Sequence, residues 1–96
     1  MKLYKVSKFA EDYYRNSIKG NGDNSLDTIR KKLTRNIHLA NKLLPISRVM
    51  KAYQYGNLII VTRWHKVVWL HNISGNIHFE VDGYQKRKLN KLLDID

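Results

Sequence analysis

The feature that most constrains this chain is a change of hydrophobic period near Val49. Before it, Leu26, Ile29, Leu33, Ile37, Ala40 and Leu44 recur at steps of three and four, the inward stripe of an amphipathic helix. After it, apolar and polar residues alternate in twos, as half-buried strands do. The two periods cannot coexist in one element. The chain therefore reads as α+β, mostly helical in its first half and mostly sheet in its second. With 96 residues, 43% of them hydrophobic, there is material for one core, and residues 1–96 read as a single domain.

Local signals divide the chain further. Leu3, Tyr4 and Val6 predict a short N-terminal strand. Ser7 offers a helix N-cap, with Glu11 and Asp12 near the positive end of the helix dipole. Phe9, Ala10, Tyr13, Tyr14 and Ile18 follow at helical spacing until Gly20 closes the helix, and the Gly20-Asn21-Gly22-Asp23-Asn24 run is a connector. Asn24 or Ser25 caps the second helix, Asp27 sits where a capping acid belongs, and Pro45 is expected to end it. The pair, Lys8 to Leu44, reads as an α-hairpin, and Lys31, Arg35, His38 and Lys42 form a basic stripe opposite the apolar one. Turn signals at Gly56-Asn57, His65-Lys66 and Ser74-Gly75 split the remainder into a four-stranded antiparallel meander. Tyr84 to Leu93 makes a basic C-terminal helix through Lys86, Arg87, Lys88 and Lys91.

Two-residue loops at all three turns fix a register. It pairs Lys51 with Thr62, Thr62 with Trp69 and Trp69 with Glu80; it also pairs Tyr53 with Ile60, Ile60 with His71 and His71 with His78. The faces then separate. Met50, Ala52, Ile59, Val61, Val68, Leu70, Ile77, Phe79 and Val81 form an apolar face expected to receive the helices. Lys51, Tyr53, Tyr55, Thr62, Trp64, Trp69, His71, His78 and Glu80 form the other, with Leu58 and Ile60 among them, and it is expected to be open.

Charge points to the partner. Eighteen Lys and Arg stand against eight acids, a net of +10, of which +7 falls in residues 1–48. Such a balance favours polyanions, here RNA or DNA. No cysteine is present, which excludes disulfides and thiolate metal sites. No apolar run approaches the ~18 residues of a spanning helix, so no membrane partner is expected and a cytoplasmic location is. P-loop, GxGxxG, nucleophile-elbow, HxH and HExxH patterns are missing from the sequence, so neither metal nor cofactor is expected.

On the expected open face, Tyr53, Tyr55, Trp64 and Trp69 offer stacking platforms for bases. Arg63 and Lys66 at the hairpin tip, with Lys31, Arg35, His38 and Lys42 on the helix, could neutralise phosphates. RNA cleavage needs a base for the 2′-hydroxyl, an acid for the leaving oxygen and cations for the developing charge. His71, His78, Glu80 and Lys51 are the candidates for that work.

The strand Lys2-Leu3-Tyr4-Lys5-Val6, the α-hairpin from Lys8 to Leu44 and the strands Lys51–Tyr55, Leu58–Trp64 and Val67–His71 resemble, in order and pattern, the RelE/ParE-like toxins. They also resemble the broader barnase–colicin-type grouping of small bacterial endoribonucleases. The resemblance implies a metal-independent endoribonuclease acting on RNA, often ribosome-bound, and neutralised by an acidic antitoxin. The chain departs from that pattern by adding residues His78–Val81 and a basic helix. Two other classes remain open: a non-catalytic DNA- or RNA-binding accessory protein of a phage or mobile element, and an inhibitor that docks on an acidic protein surface.

Overall fold

Each of the first two helices begins where a serine can cap it. The Ser7 hydroxyl accepts a hydrogen bond from the Ala10 N–H and opens α1 (Lys8–Ser17), with Glu11 in its first turn. Ser25 does the same for α2 (Leu26–Leu39) through the Thr28 N–H. The connector between them is tied down by Arg15, whose Nε donates to the Asn24 carbonyl at 3.0 Å while its guanidinium pairs with Glu11. These positions belong to a computed structural model that describes residues 2–18, 20–73 and 83–95.

α2 stops earlier than its apolar stripe predicts. Ala40 caps it in an extended conformation, and Asn41–Lys42 becomes a two-residue strand, β2. Leu44, expected on the inward stripe, is 90% exposed. Pro45 disfavours helical geometry at the residue before it. Leaving the helix at Ala40 instead lets Asn41 and Lys42 pair with Gln54 and Tyr53. Lys42 therefore lies on a strand, and the basic stripe of α2 is broken.

The sheet is built from β1 (Lys5–Val6), β2, β3 (Met50–Tyr55), β4 (Leu58–Arg63) and β5 (Lys66–Asn72), in the order β1-β5-β4-β3-β2. β1 runs parallel to β5, and the other neighbours are antiparallel. The fold is α+β, as the change of period requires. Three strands of the expected meander are present, and the flanking places are taken by β1 and β2. The expected fourth strand, the Ser74-Gly75 turn, and the pairings of Trp69 with Glu80 and His71 with His78 all lie outside the described residues. α3 (Gly83–Leu93) follows, and no helix among the described residues is long and apolar enough to cross a membrane.

The β3–β4 hairpin has the expected register, with Lys51 opposite Thr62 and Tyr53 opposite Ile60. Gly56 supplies the positive φ its turn needs. The β4–β5 hairpin does not follow expectation. Its turn is Trp64-His65, one residue early, so Arg63 pairs with Lys66 and Thr62 with Val67 rather than Trp69. A bulge between Val61 and Thr62 then sets Val61 against Trp69, Ile60 against Leu70 and Ile59 against His71. The bulge explains how Val67 and Leu70, three apart on one strand, are both buried.

The helix-facing side is also the reverse of the one expected for β3 and β4. Tyr53, Leu58, Ile60, Val67 and Leu70 form the core with Ala10 and Tyr14 of α1 and Ile29, Leu33 and Ile37 of α2. Met50, Ala52, Ile59 and Val61 alternate with these residues and so project to the far side. Leu58-Ile59-Ile60-Val61 is apolar on both faces, so alternation alone cannot choose between them. Tyrosine decides. Tyr53 and Tyr55 bring large rings to the helical side, and the Tyr53 hydroxyl finds a partner there in Tyr4. Full burial of Ile29, Leu33, Ile60 or Leu70 contributes roughly 1.5–3 kcal/mol each. α3 packs beside α2, with the Arg35 guanidinium donating to Asn90 Oδ1 at 2.9 Å and Lys86 placed 5.9 Å from the Tyr55 ring centroid.

Candidate functional site

Among the described residues, Trp64 in the β4–β5 turn and Asp94 are the non-glycine residues with positive φ. Trp64 adopts φ 55°, a left-handed conformation rare for a bulky side chain, yet the residue is 74% exposed. Packing cannot be what holds it there. The turn is clamped from both sides: the Trp64 N–H donates to the Val49 carbonyl at 2.9 Å, and the Lys5 N–H donates to the His65 carbonyl at 3.0 Å. The His65 ring stacks on Tyr4 with centroids 4.0 Å apart and planes 18° apart, and its buried Nε2 has no hydrogen-bond partner.

Tyr4 is fixed in turn by α2. Its N–H donates to Thr34 Oγ1 at 3.0 Å, and its carbonyl accepts from Arg30 Nε at 2.9 Å. Burial, followed by the neighbouring Tyr53 hydroxyl, pushes the Tyr4 phenol up to about 12.

Around this clamp lies a cavity of about 700 Å³ lined by Lys2, Lys5, Arg30, Arg63, Trp64 and Lys66, together with Leu3, His65 and Val68. Five of these residues are cations and none is an acid. Lys5 and Lys66 are direct neighbours in the parallel β1–β5 pairing, a like-charge arrangement that costs stability. A polyanion lying across the groove would remove that cost.

The sequence-derived candidates divide sharply. Arg63, Trp64 and Lys66 come together here. Trp69 and His71 stack on each other at 5.4 Å on the side of the sheet away from the helices. Lys51 alternates in phase with Tyr53 and so leaves β3 on the opposite side from His71. These two members of the proposed cleavage cluster do not meet, and the other two, His78 and Glu80, lie outside the described residues. Tyr53 is buried in the core, and Tyr55 lies beneath Lys86, so neither is an open stacking platform. Lys31 pairs with Asp27 at 3.3 Å, Arg35 is buried and His38 is exposed. The α2 stripe is thus not one continuous phosphate-binding face. Among the described residues, no three His, Asp or Glu side chains converge as a metal ion would need.

Lys2, Lys5, Arg30 and His65 belong to the groove but were not legible as groove residues. The parallel β1–β5 pairing brings Lys5 to Lys66 across most of the chain, and no local pattern announces it.

No curated protein and no solved structure matches the chain. The YorE family model matches residues 4–93, from the strand beneath the Trp64 turn through the end of α3, and the chain belongs to the YorE family.

Proposed function

We propose that the chain binds single-stranded nucleic acid, RNA foremost, through the groove at the Trp64 turn. One observation carries this reading: an exposed tryptophan held at a left-handed φ among five cations, with no acid among the described lining residues. Strained backbone that packing does not repay is characteristic of functional sites. An exposed ring offers a face to any base, while the surrounding ammonium and guanidinium groups follow the phosphates. A cytoplasmic setting, where RNA is abundant, fits this reading. Cleavage would need acid, base and cation on one side of the sheet, whereas Lys51 and His71 leave on opposite sides. Binding needs no such cluster.

The test is Trp64→Gly. Glycine accepts the left-handed φ without strain, so the melting temperature should hold or rise. Loss of the stacking surface should weaken binding of a 12-residue oligouridylate about 5- to 150-fold, the range of ~1–3 kcal/mol per stacked base. Retention of wild-type affinity by the folded variant would defeat the proposal. Lys66→Gln should lower the slope of log K against log salt by about 0.7, the contribution of one phosphate on a single strand.

A further inference from the structure

The opposite end of the sheet holds a second cavity, of about 560 Å³, where α1, α2 and α3 meet the β3–β4 turn. Its cations are Lys32, Arg35 and Lys86, and none of its described lining residues is an acid. Arg35 is only 8% exposed. A charge so deeply buried ordinarily has a carboxylate for company. Among the described residues it has amides: Nε and one terminal nitrogen donate to Asn36 Oδ1 at 3.1 and 2.9 Å, and the other terminal nitrogen donates to Asn90 Oδ1 at 2.9 Å. Those bonds occupy three of the five guanidinium N–H groups. Amide oxygens satisfy hydrogen bonds but do not return a unit of negative charge.

Lys32 adds a second cation, donating to Asn21 Oδ1 at 2.8 Å. Burial, then the nearby charges of Arg35 and Lys86, holds its ammonium below the ordinary lysine range. Lys86 arrives from α3 as the third. Two helices therefore deliver three positive groups to one space, against mutual repulsion and with no carboxylate among the described lining residues to balance them. A dianion is the ligand that such a space lacks.

We propose that this cavity binds the phosphate of a phosphomonoester, coordinated by Arg35, Lys32 and Lys86. Its volume lies within the roughly 300–1,000 Å³ of small-molecule sites, more than a bare phosphate needs. Tyr14, Leu58 and Asn72 line the remainder and would flank the organic part. Two sources share this chemistry, a free nucleotide and the 5′-phosphorylated end of an RNA strand. The site is separate from the Trp64 groove, because the β3–β4 and β4–β5 turns lie at opposite ends of β4.

The experiment is an NMR titration of the full chain with inorganic phosphate and AMP, following the Arg35 Nε–H resonance at constant ionic strength. The expected result is a saturable shift with both probes, absent with chloride, with AMP the tighter. Arg35 links α2 to α3, so its replacement risks the fold; Lys86→Gln and Lys32→Gln carry the test instead. Each should weaken AMP at least about fivefold while leaving the melting temperature within a few degrees of wild type. A response to phosphate no different from that to chloride, or wild-type AMP affinity in a Lys32→Gln, Lys86→Gln double variant, would overturn the proposal. Tighter binding of a 5′-phosphorylated oligouridylate than of its 5′-hydroxyl twin assigns the site to RNA ends. Equal binding of the two strands, with AMP still bound, assigns it to free nucleotide.

Discussion

Tyr4 shows how much one side chain can organise. Its backbone bonds both Thr34 and Arg30 of α2, its ring supports His65 under the Trp64 turn, and its hydroxyl meets Tyr53 in the core. The folded state thus favours the protonated phenol, with a pKa near 12 against an ordinary 10. Between those values the unfolded chain binds fewer protons than the folded one, so stability falls as pH rises. Below pH 10 the contribution is fully present. Melting temperatures measured from pH 9 to pH 12 should therefore drop, and Tyr4→Phe, which keeps the ring and lacks the titrating proton, should flatten the drop. An equal decline in both proteins would show that Tyr4 is not the group responsible.

At the scale of elements, the bulge in β5 is the decisive irregularity. It places Val68 and Trp69 together opposite Val61, so that Val67 and Leu70 both face the helices. Deleting Val68 should restore strict alternation with Leu70 still inward and Trp69 still outward. The deletion also removes the Val68 carbonyl that accepts from Ser7 Oγ at 3.3 Å, a hydrogen bond worth about 1 kcal/mol. We expect a folded variant destabilised by roughly that amount in urea, whereas deleting Ile60 should abolish cooperative unfolding by turning half of β4 over. The contrast between these two positions also marks what a reader of the sequence can see. The Ser7 and Ser25 caps, the α2 stripe from Ile29 to Ile37 and the Gly56 turn are local patterns, and each is legible, whereas Leu26 at the start of the expected stripe is exposed. The sheet's orientation is not, because Leu58-Ile59-Ile60-Val61 offers grease to either side and the second turn is made by a tryptophan where glycine would be looked for. Of the groove, Arg63 and Lys66 are legible as a hairpin tip and Trp64 as a stacking platform; Lys2, Lys5 and Arg30 join them only through tertiary pairing.

For the molecule as a whole, a net charge of +10 sets two responses to salt that run in opposite directions. Screening should relieve self-repulsion and raise the melting temperature between 50 and 300 mM NaCl, while affinity for an oligouridylate falls through loss of counterion release. Thermal scans and fluorescence anisotropy in the same buffers would check the pair. A melting temperature that falls with salt would mean that attraction between unlike charges, and not repulsion, dominates the folded state. The outermost of the described strands, β1 and β2, bear on crowded conditions of this kind. Each is only two residues long, so neither is itself a strand on which another copy could extend a long ladder. If the groove holds RNA as proposed, neighbouring copies on one strand would meet at β1 and β2 only short stubs of ladder, a poor seed for a fibril.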